Sequence, residues 1–128
     1  MKYSSEKTEI KHFSNGLVVK EYHDKTNPFP IDACVVEFKD DGYPWKKNKD
    51  FYEMFYIVSG ELNIEFENGK IENLKKDDVF IVEPNILHRS YAKDAKIFIV
   101  CNPPFNIDNV EGAWLVNFIN YIILTMKR

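Results

Sequence analysis

Residues 50–74 read DFYEMFYIVSGELNIEFENGKIENL, and this stretch decides the fold. Apolar and polar residues alternate strictly from Leu62 to Phe66, which predicts a strand with one face buried and the other in water. The dipeptide Asn68-Gly69 follows at once and tolerates the positive φ angles of a two-residue type I′ turn. An apolar pattern then resumes, so the stretch predicts a β-hairpin.

The chain before residue 105 has the same character throughout. Clusters of Asn, Asp, Gly and Pro separate further apolar segments, which we interpret as strands at 16–22, 33–39, 54–58, 79–82 and 96–101. Short strands with turn signals between them are typical of a β-sandwich or barrel. We therefore predict an all-β protein with a barrel at about residues 10–105.

The pattern changes after Pro103-Pro104. Asp108, with Glu111 three residues later, is a plausible helix start and predicts one C-terminal α-helix at about residues 109–126. This helix would be apolar on nearly all sides, which is typical of a helix that packs into a partner. We predict that it helps to form a homodimer. The alternative is a helix that lies on the barrel with some apolar side chains exposed.

Length and charge exclude several classes of protein. The chain has 128 residues, 29% of them charged and 45% hydrophobic, which is the balance of a single globular domain spanning 1–128. A net charge of -3 gives no attraction for phosphate backbones, so we expect no nucleic-acid partner. Residues 1–10 lack a secretory signal, and the apolar stretch 113–126 is shorter than the roughly 20 residues that span a bilayer. We therefore expect no membrane contact and a cytoplasmic location.

Two segments resemble the two sequence motifs of the cupin superfamily. Residues 50–62 are similar to the first motif, in which a glutamate, here Glu53, precedes a glycine, here Gly60, by seven positions. Residues 76–88 are similar to the second motif, with Asp77 in place of its usual glycine and with a histidine, His88, at the position of its metal ligand. The resemblance implies a small single-domain cupin with a jelly-roll β-barrel.

Many cupins hold a divalent metal with a His-x-His pair, the glutamate and the later histidine, but this chain lacks the pair. Counting back from Glu53 by the family's spacing reaches Lys47 and Lys49 or, with a gap one residue longer, Lys46 and Asn48. Only Glu53 and His88 remain as metal ligands, fewer than the three or four that hold Zn²⁺ or Fe²⁺ firmly. We predict no tightly bound metal and no other cofactor; a divalent metal on these two residues is the alternative.

A barrel interior without a metal can still bind a small molecule. The ligand-binding residues that we predict are Glu53, His88, Lys47, Lys49, Phe55 and Tyr91. Phe55 faces inward by alternation from Glu53, and an inward lysine would neutralise a carboxylate or phosphate. Tyr91, or alternatively Tyr52 or Tyr56, would stack on a ring of the ligand. The alternative for the lysines is a solvated basic loop.

Three functional classes are compatible with these residues. The first is a sensor-like module that binds a sugar or small carboxylate, since residues 50–62 are particularly similar to the ligand-sensing domain of AraC-type regulators; the chain would then be free-standing or a fragment of a longer regulator. The second is an isomerase-like or epimerase-like enzyme, with His88 as base near Glu53 and a tyrosine as acid, or a metal-dependent oxygenase-like enzyme. The third is a dimerisation module with a degenerate pocket.

Overall fold

Eight β-strands and two short 3-10 turns make up the described part of this computed structural model, which comprises residues 4–13, 17–22, 30–105 and 107–112. The 3-10 turns are Ser5–Lys7 and Ile107–Asn109. The strands are β1 (Glu9–His12), β2 (Val18–Glu21), β3 (Asp32–Asn48), β4 (Tyr52–Phe66), β5 (Ile71–Lys75), β6 (Val79–Val82), β7 (His88–Asn102) and β8 (Val110–Glu111).

Three long antiparallel strands, β3, β4 and β7, carry the barrel. The sheet order is β1-β2-β3-β7-β4-β5, while β6 pairs with β4 and β8 pairs with β3. The first half of β4 pairs with β6 and its second half with β5, so one strand contributes to both sides of the barrel. The predicted all-β barrel is confirmed.

The barrel interior is filled by alternate residues of the long strands, but β4 changes the parity of its alternation midway. Phe55 and Ile57 are buried at odd positions, whereas Leu62 and Ile64 are buried at even positions. The register with β7 shifts between these two pairs, around Gly60. An irregularity of this kind bends a strand and re-aims its side chains. The two predicted strands at 54–58 and 62–66 are therefore one bent strand.

The predicted hairpin is confirmed, but its predicted type I′ turn is wrong. Phe66 N donates to Lys70 O at 2.9 Å and Gly69 N donates to Phe66 O at 2.9 Å, so the loop has three residues rather than two. Only Gly69 has a positive φ, 86°, in this loop. This is a type I turn followed by a glycine bulge, in which Asn68 does not need the left-handed conformation.

The predicted C-terminal helix at 109–126 is not observed where the structure describes the chain. Asn109 ends a 3-10 turn, and Val110 and Glu111 pair with the end of β3, because their backbone groups extend the sheet. Residues 113–126 lie outside the described residues. None of the described segments forms a helix long and apolar enough to cross a bilayer.

Gly60 and Gly69 offer a matched test of how the barrel bends. Both have a positive φ, but a Cβ at Gly60 would lie 2.0 Å from the carbonyl oxygen of Asp94, whereas a Cβ at Gly69 would meet no atom within 4 Å. We expect Gly69→Ala to cost about 1–2 kcal/mol of unfolding free energy from backbone strain alone. Gly60→Ala should cost more, roughly 3 kcal/mol or above, because the strand must also move. Urea denaturation of both variants measures the difference, and equal losses would contradict this account of the bend.

Candidate functional site

Four polar side chains point into the barrel near the start of β4 and are almost fully buried. They are Lys46, Asn48, Glu53 and His88, with exposed fractions of 5%, 0%, 4% and 0%. Lys46 and Asn48 lie at the end of β3, and Lys46 is the register partner of His88 at the start of β7. Lysine and glutamate are rarely buried unless they are paired, so this cluster requires an explanation in terms of its partners.

The Glu53 carboxylate is the centre of the cluster. Its Oε1 lies 2.8 Å from Lys46 Nζ and accepts a hydrogen bond from Asn48 Nδ2 at 2.5 Å. Burial by itself raises the pKa of Glu53, but the Lys46 ammonium and the nearby His88 outweigh it and hold that pKa well below its usual range. Glu53 is therefore an ionised acceptor at neutral pH and a weak proton acceptor for catalysis.

His88 lies behind Glu53. Its Nδ1 is 2.8 Å from the carbonyl oxygen of Ile86, which can only accept, so Nδ1 donates and fixes the orientation of the ring. Its Nε2 faces Glu53 Oε1 at 3.6 Å, and among the described residues neither this nitrogen nor Asn48 Oδ1 has a hydrogen-bond partner. Buried polar atoms without a partner are rare in folded proteins. These two atoms are therefore the polar groups of the cluster that its contacts with described residues leave unsatisfied.

A cavity of about 90 Å³ opens onto the cluster at one end of the barrel. Lys46 and Glu53 contribute to its lining, whereas the fully buried Asn48 and His88 do not. The remaining lining residues come from β1, β2, β3, β7 and the segments beside them: Lys11, Phe13, Val19, Glu21, Asp32, Cys34, Tyr43, Ile99, Cys101 and Phe105. The cavity thus combines charged groups with aromatic rings, as small-molecule sites usually do.

The side chain of Tyr43 contributes an uncharged hydroxyl group to this cavity. The Lys46 ammonium lies 5.3 Å from the centre of its ring, and the ring packs edge-on against Phe38. Burial, followed by the negative charges around it, raises the pKa of Tyr43 well above its usual value, so the phenol keeps its proton. Burial likewise raises the pKa of the Cys34 and Cys101 thiols, which makes them unreactive apolar lining.

The structure brings together three of the six predicted ligand-binding residues. Glu53 and His88 are neighbours, and Phe55 is buried in the interior directly beside them on β4, at 1% exposure. Lys47 and Lys49 do not point into the interior, because they alternate with the buried Lys46 and Asn48 and so face the other side of the sheet. Their role in ligand binding stays a prediction.

Lys49 lies on the surface, with its ammonium 2.9 Å from Glu111 Oε1, and Lys47 pairs with the same residue in the register of β3 and β8. Counting back from Glu53 with a gap one residue longer reaches Lys46 and Asn48, which are the two residues that the structure buries.

Tyr91 lies on the outer face of β7, between the inward-facing Ser90 and Ala92, and so it does not join Glu53, His88 and Phe55. The Arg89 guanidinium lies 5.3 Å from the centre of the Tyr91 ring and 5.2 Å from the Trp45 ring. Tyr52 is half exposed and the hydroxyl of Tyr56 donates to Asp77 at the surface, so neither ring lines the cavity.

The sequence analysis missed Tyr43 and the charged residues that β1 and β2 contribute to the cavity. Buried positions of β3 are Val36, Phe38, Gly42, Lys46 and Asn48, all even-numbered. This parity would have identified Lys46 from the sequence if β3 had been recognised as one strand of 17 residues instead of as 33–39. Tyr43 would still have escaped, because the register between β3 and β7 is irregular from Tyr43 to Lys46.

The resemblance to cupins implies a divalent metal beside Glu53 and His88, and the residues present do not fit one. The Lys46 ammonium contacts the Glu53 oxygen that would bind the ion, and it would repel a cation there. Within residues 4–13, 17–22, 30–105 and 107–112, no group of three or more His, Cys, Asp or Glu is arranged to hold a metal. A divalent ion at Glu53 would therefore have to displace the Lys46 ammonium.

Two lysines of the same stretch test the importance of the buried pair. We expect Lys46→Met to lower the free energy of unfolding by about 3–5 kcal/mol, because the Glu53 carboxylate would remain buried without its cation. Lys49→Met, the matched control, should change the urea midpoint little, because its ion pair with Glu111 is solvated. The double variant Lys46→Met/Glu53→Leu should recover most of the loss. If it is as unstable as Lys46→Met, the loss comes from packing rather than from charge.

A second double variant tests the reason why a metal does not fit. Lys46→His/Asn48→His places two imidazoles beside Glu53 and His88 and removes the competing ammonium, so we expect it to bind one divalent ion such as Ni²⁺ or Zn²⁺. Lys47→His/Lys49→His, whose side chains lie on the other face, should bind none firmly. Elemental analysis after dialysis gives the stoichiometry. Equal metal contents in the two double variants would contradict the geometry.

A family profile described as "Cupin domain" matches residues 35–101, just over half of the 128 residues. No curated protein matches the chain. The similarity to AraC-type regulators stays a prediction.

Solved structures share the fold at low sequence identity. A variant of Streptomyces PAC13 with uridine is 20% identical, with a TM-score of 0.75 over 87% of this chain and 88% of that chain. Pac13 is described as a nucleoside dehydratase. KdgF from Halomonas sp. is 18% identical, with a TM-score of 0.68 over 81% of this chain and 94% of that one. Ectoine synthase from P. lautus is 14% identical, with a TM-score of 0.66 over 77% of each chain. With its barrel, its two motifs and this match, the chain belongs to the cupin family.

Proposed function

We propose that this cupin binds a small, neutral, polyhydroxylated molecule, such as a sugar or the sugar of a nucleoside, without a metal. The observation that carries the proposal is the Lys46–Glu53 pair, which gives the cavity a fixed donor and a fixed acceptor 2.8 Å apart. A hydroxyl group both donates and accepts, so a diol can bind to both members of such a pair.

The charges of the cavity favour a neutral ligand over a carboxylate. Three carboxylates line it, from Glu21, Asp32 and Glu53, against the two ammonium groups of Lys11 and Lys46. The Tyr43 phenol and both thiols stay neutral. A ligand carboxylate would therefore enter a site with an excess of negative charge, in a partly buried environment where repulsion is poorly screened.

The aromatic side chains and the volume of the cavity suit a ligand with one small ring. Phe13, Tyr43 and Phe105 provide apolar surface, and Phe105 is 38% exposed at the cavity, where it packs edge-on against the buried Phe51. The volume of about 90 Å³ is well below the roughly 300–1,000 Å³ of sites for larger ligands. The cavity accordingly suits one ring or one end of a longer molecule. The structural similarity to Pac13, which has been solved with uridine, supports this class of ligand.

An acid–base enzyme acting on such a molecule is the second candidate, and Tyr43 is the observation that favours it. The Tyr43 phenol keeps its proton, and the Lys46 ammonium lies 5.3 Å from the centre of the Tyr43 ring. These two groups are proton donors that would stabilise an oxyanion as it forms. The predicted role of His88 as base is less well supported, because Glu53 separates it from the cavity.

A panel of defined compounds tests the proposal. We expect uridine or a neutral sugar such as glucose to raise the melting temperature and to give a measurable heat of binding, while succinate and galacturonate bind more weakly. A ligand at 100 times its Kd adds about 2.7 kcal/mol to the stability of the protein. Tight binding of the carboxylates in preference to every neutral compound would contradict the charge argument.

Two tyrosine variants test the location of the site. Tyr43→Phe should weaken the binding of the best neutral compound by roughly 3–10-fold, which corresponds to the loss of one hydrogen bond. Tyr91→Phe, on the outer face, is the matched control and should leave the Kd unchanged. Calorimetry gives both Kd values, and NMR of the incubated ligand distinguishes binding from turnover. An unchanged Kd for Tyr43→Phe would place the ligand elsewhere.

A further inference from the structure

The exposure of its lining residues gives the cavity a deep end and a mouth. At the deep end, Lys46 and Glu53 are 5% and 4% exposed. At the mouth, Phe105 is 38% exposed, and it is the most exposed apolar side chain among the described residues that line the cavity. A ligand whose hydroxyl groups reach Lys46 and Glu53 therefore extends towards Phe105.

Two contacts hold Phe105 in place although its ring is exposed. Its backbone N donates to Asp32 Oδ2 at 2.9 Å, and its ring packs edge-on against the fully buried Phe51, with ring centres 5.7 Å apart. Asp32 begins β3 and is the register partner of Cys101 near the end of β7, so it is fixed by the sheet. A ring that is already fixed loses little conformational freedom when a ligand contacts it.

We propose that the ligand of this cavity carries a planar heterocyclic ring on its sugar and that this ring stacks on Phe105. The proposal rests on the function proposed above, because it needs the sugar hydroxyl groups at the Lys46–Glu53 pair. The cavity, at about 90 Å³, accommodates one small ring, so a second ring lies at the mouth. Stacked aromatic rings attract each other beyond the gain from their buried area.

The polar residues near the mouth favour a heterocycle over a plain apolar group. Lys11 on β1 and Glu21 at the end of β2 line the same cavity and are half-buried. Lys11 supplies donors and the Glu21 carboxylate supplies acceptors. A pyrimidine base has apolar faces that stack on aromatic side chains and an edge that both donates and accepts hydrogen bonds. An alkyl group would contact Phe105 but would form no hydrogen bonds.

Three related compounds test for the second ring. Uridine has a planar base, dihydrouridine has the same hydrogen-bonding groups on a saturated and non-planar ring, and ribose has no base. We expect calorimetry to give uridine a Kd about 3–10-fold lower than that of dihydrouridine, because only the planar ring stacks well on Phe105, and ribose the weakest binding.

The possible failures of this test are distinguishable. A uridine Kd that is not lower than the Kd values of both dihydrouridine and ribose overturns the stacked ring. If ribose or glucose still binds in that case, the proposed function stands without the second ring. If no neutral compound binds, both proposals fail.

An aromatic substitution with a matched control locates the second ring. Phe105→Leu keeps an apolar side chain but removes the aromatic face, so we expect it to raise the uridine Kd about 3–10-fold and to leave the ribose Kd unchanged. Tyr52→Leu removes a half-exposed ring that does not line the cavity and should change neither Kd. Circular dichroism checks that both variants are folded. Equal losses for uridine and ribose in Phe105→Leu, or an unchanged uridine Kd, overturn the proposal.

Asp32 acts as a positioning residue for Phe105, and two variants of it test this role. Asp32→Ala removes the acceptor of the Phe105 N–H and should abolish the preference for uridine over dihydrouridine. Asp32→Asn keeps an oxygen that accepts this hydrogen bond and should retain the preference. A merely structural role would weaken the binding of both compounds equally and leave their ratio unchanged. A ratio that is lost in both variants, or in neither, overturns the assigned role of Asp32.

Discussion

The ion pair between Lys46 and Glu53 is the interaction on which the candidate site depends. Removing two charges from water is costly, and the cost is offset only when geometry is favourable and further hydrogen bonds are made. Here the Lys46 ammonium and the Asn48 amide both contact one oxygen of Glu53. The pair ties the end of β3 to the start of β4, and it presents both a donor and an acceptor to the cavity. A well-packed apolar pair would hold the strands equally well. Stability alone therefore does not require a charged pair at this position, whereas the ligand site proposed above does require one.

Burial patterns explain why much of the fold could be predicted from the sequence. Alternation from Leu62 to Phe66, and from Glu53 to Ile57, is strict because each half of β4 has one face in the interior. The turn at Asn68-Gly69 could not be assigned, because the same dipeptide serves a two-residue turn and a three-residue loop with a glycine bulge. Strand β3 was underestimated because Asp40-Asp41-Gly42 has the composition of a turn, and Asp40 does adopt a positive φ within the strand.

The site itself could be predicted only in part. Side chains of a strand alternate between its two faces, so an error of one residue reverses the predicted orientation of a side chain. Glu53 and His88 follow from the family's motifs, and the structure shows that they are neighbours in the barrel. The orientation of the lysines does not follow from the motifs. An error of one position in the spacing between the lysines and Glu53 moves a side chain from the interior to the solvent. Lys49 and Lys46 are equally basic in the sequence, yet one is half exposed and the other nearly fully buried. Tyr43 and the carboxylates of β2 and β3 depend on strand pairing over long sequence distances, which no local pattern records.

The strands that hold the cluster also fix its position. Glu53 lies on β4 between β6 and β7, with Val82 and Cys101 as its register partners. The end of β3 is likewise paired on both sides, with β7 at Lys46 and with β8 at Asn48. Paired segments of a sheet open less readily than segments with a free edge. The proposed donor and acceptor pair is therefore preorganised, and a preorganised pair binds its ligand at a lower entropic cost.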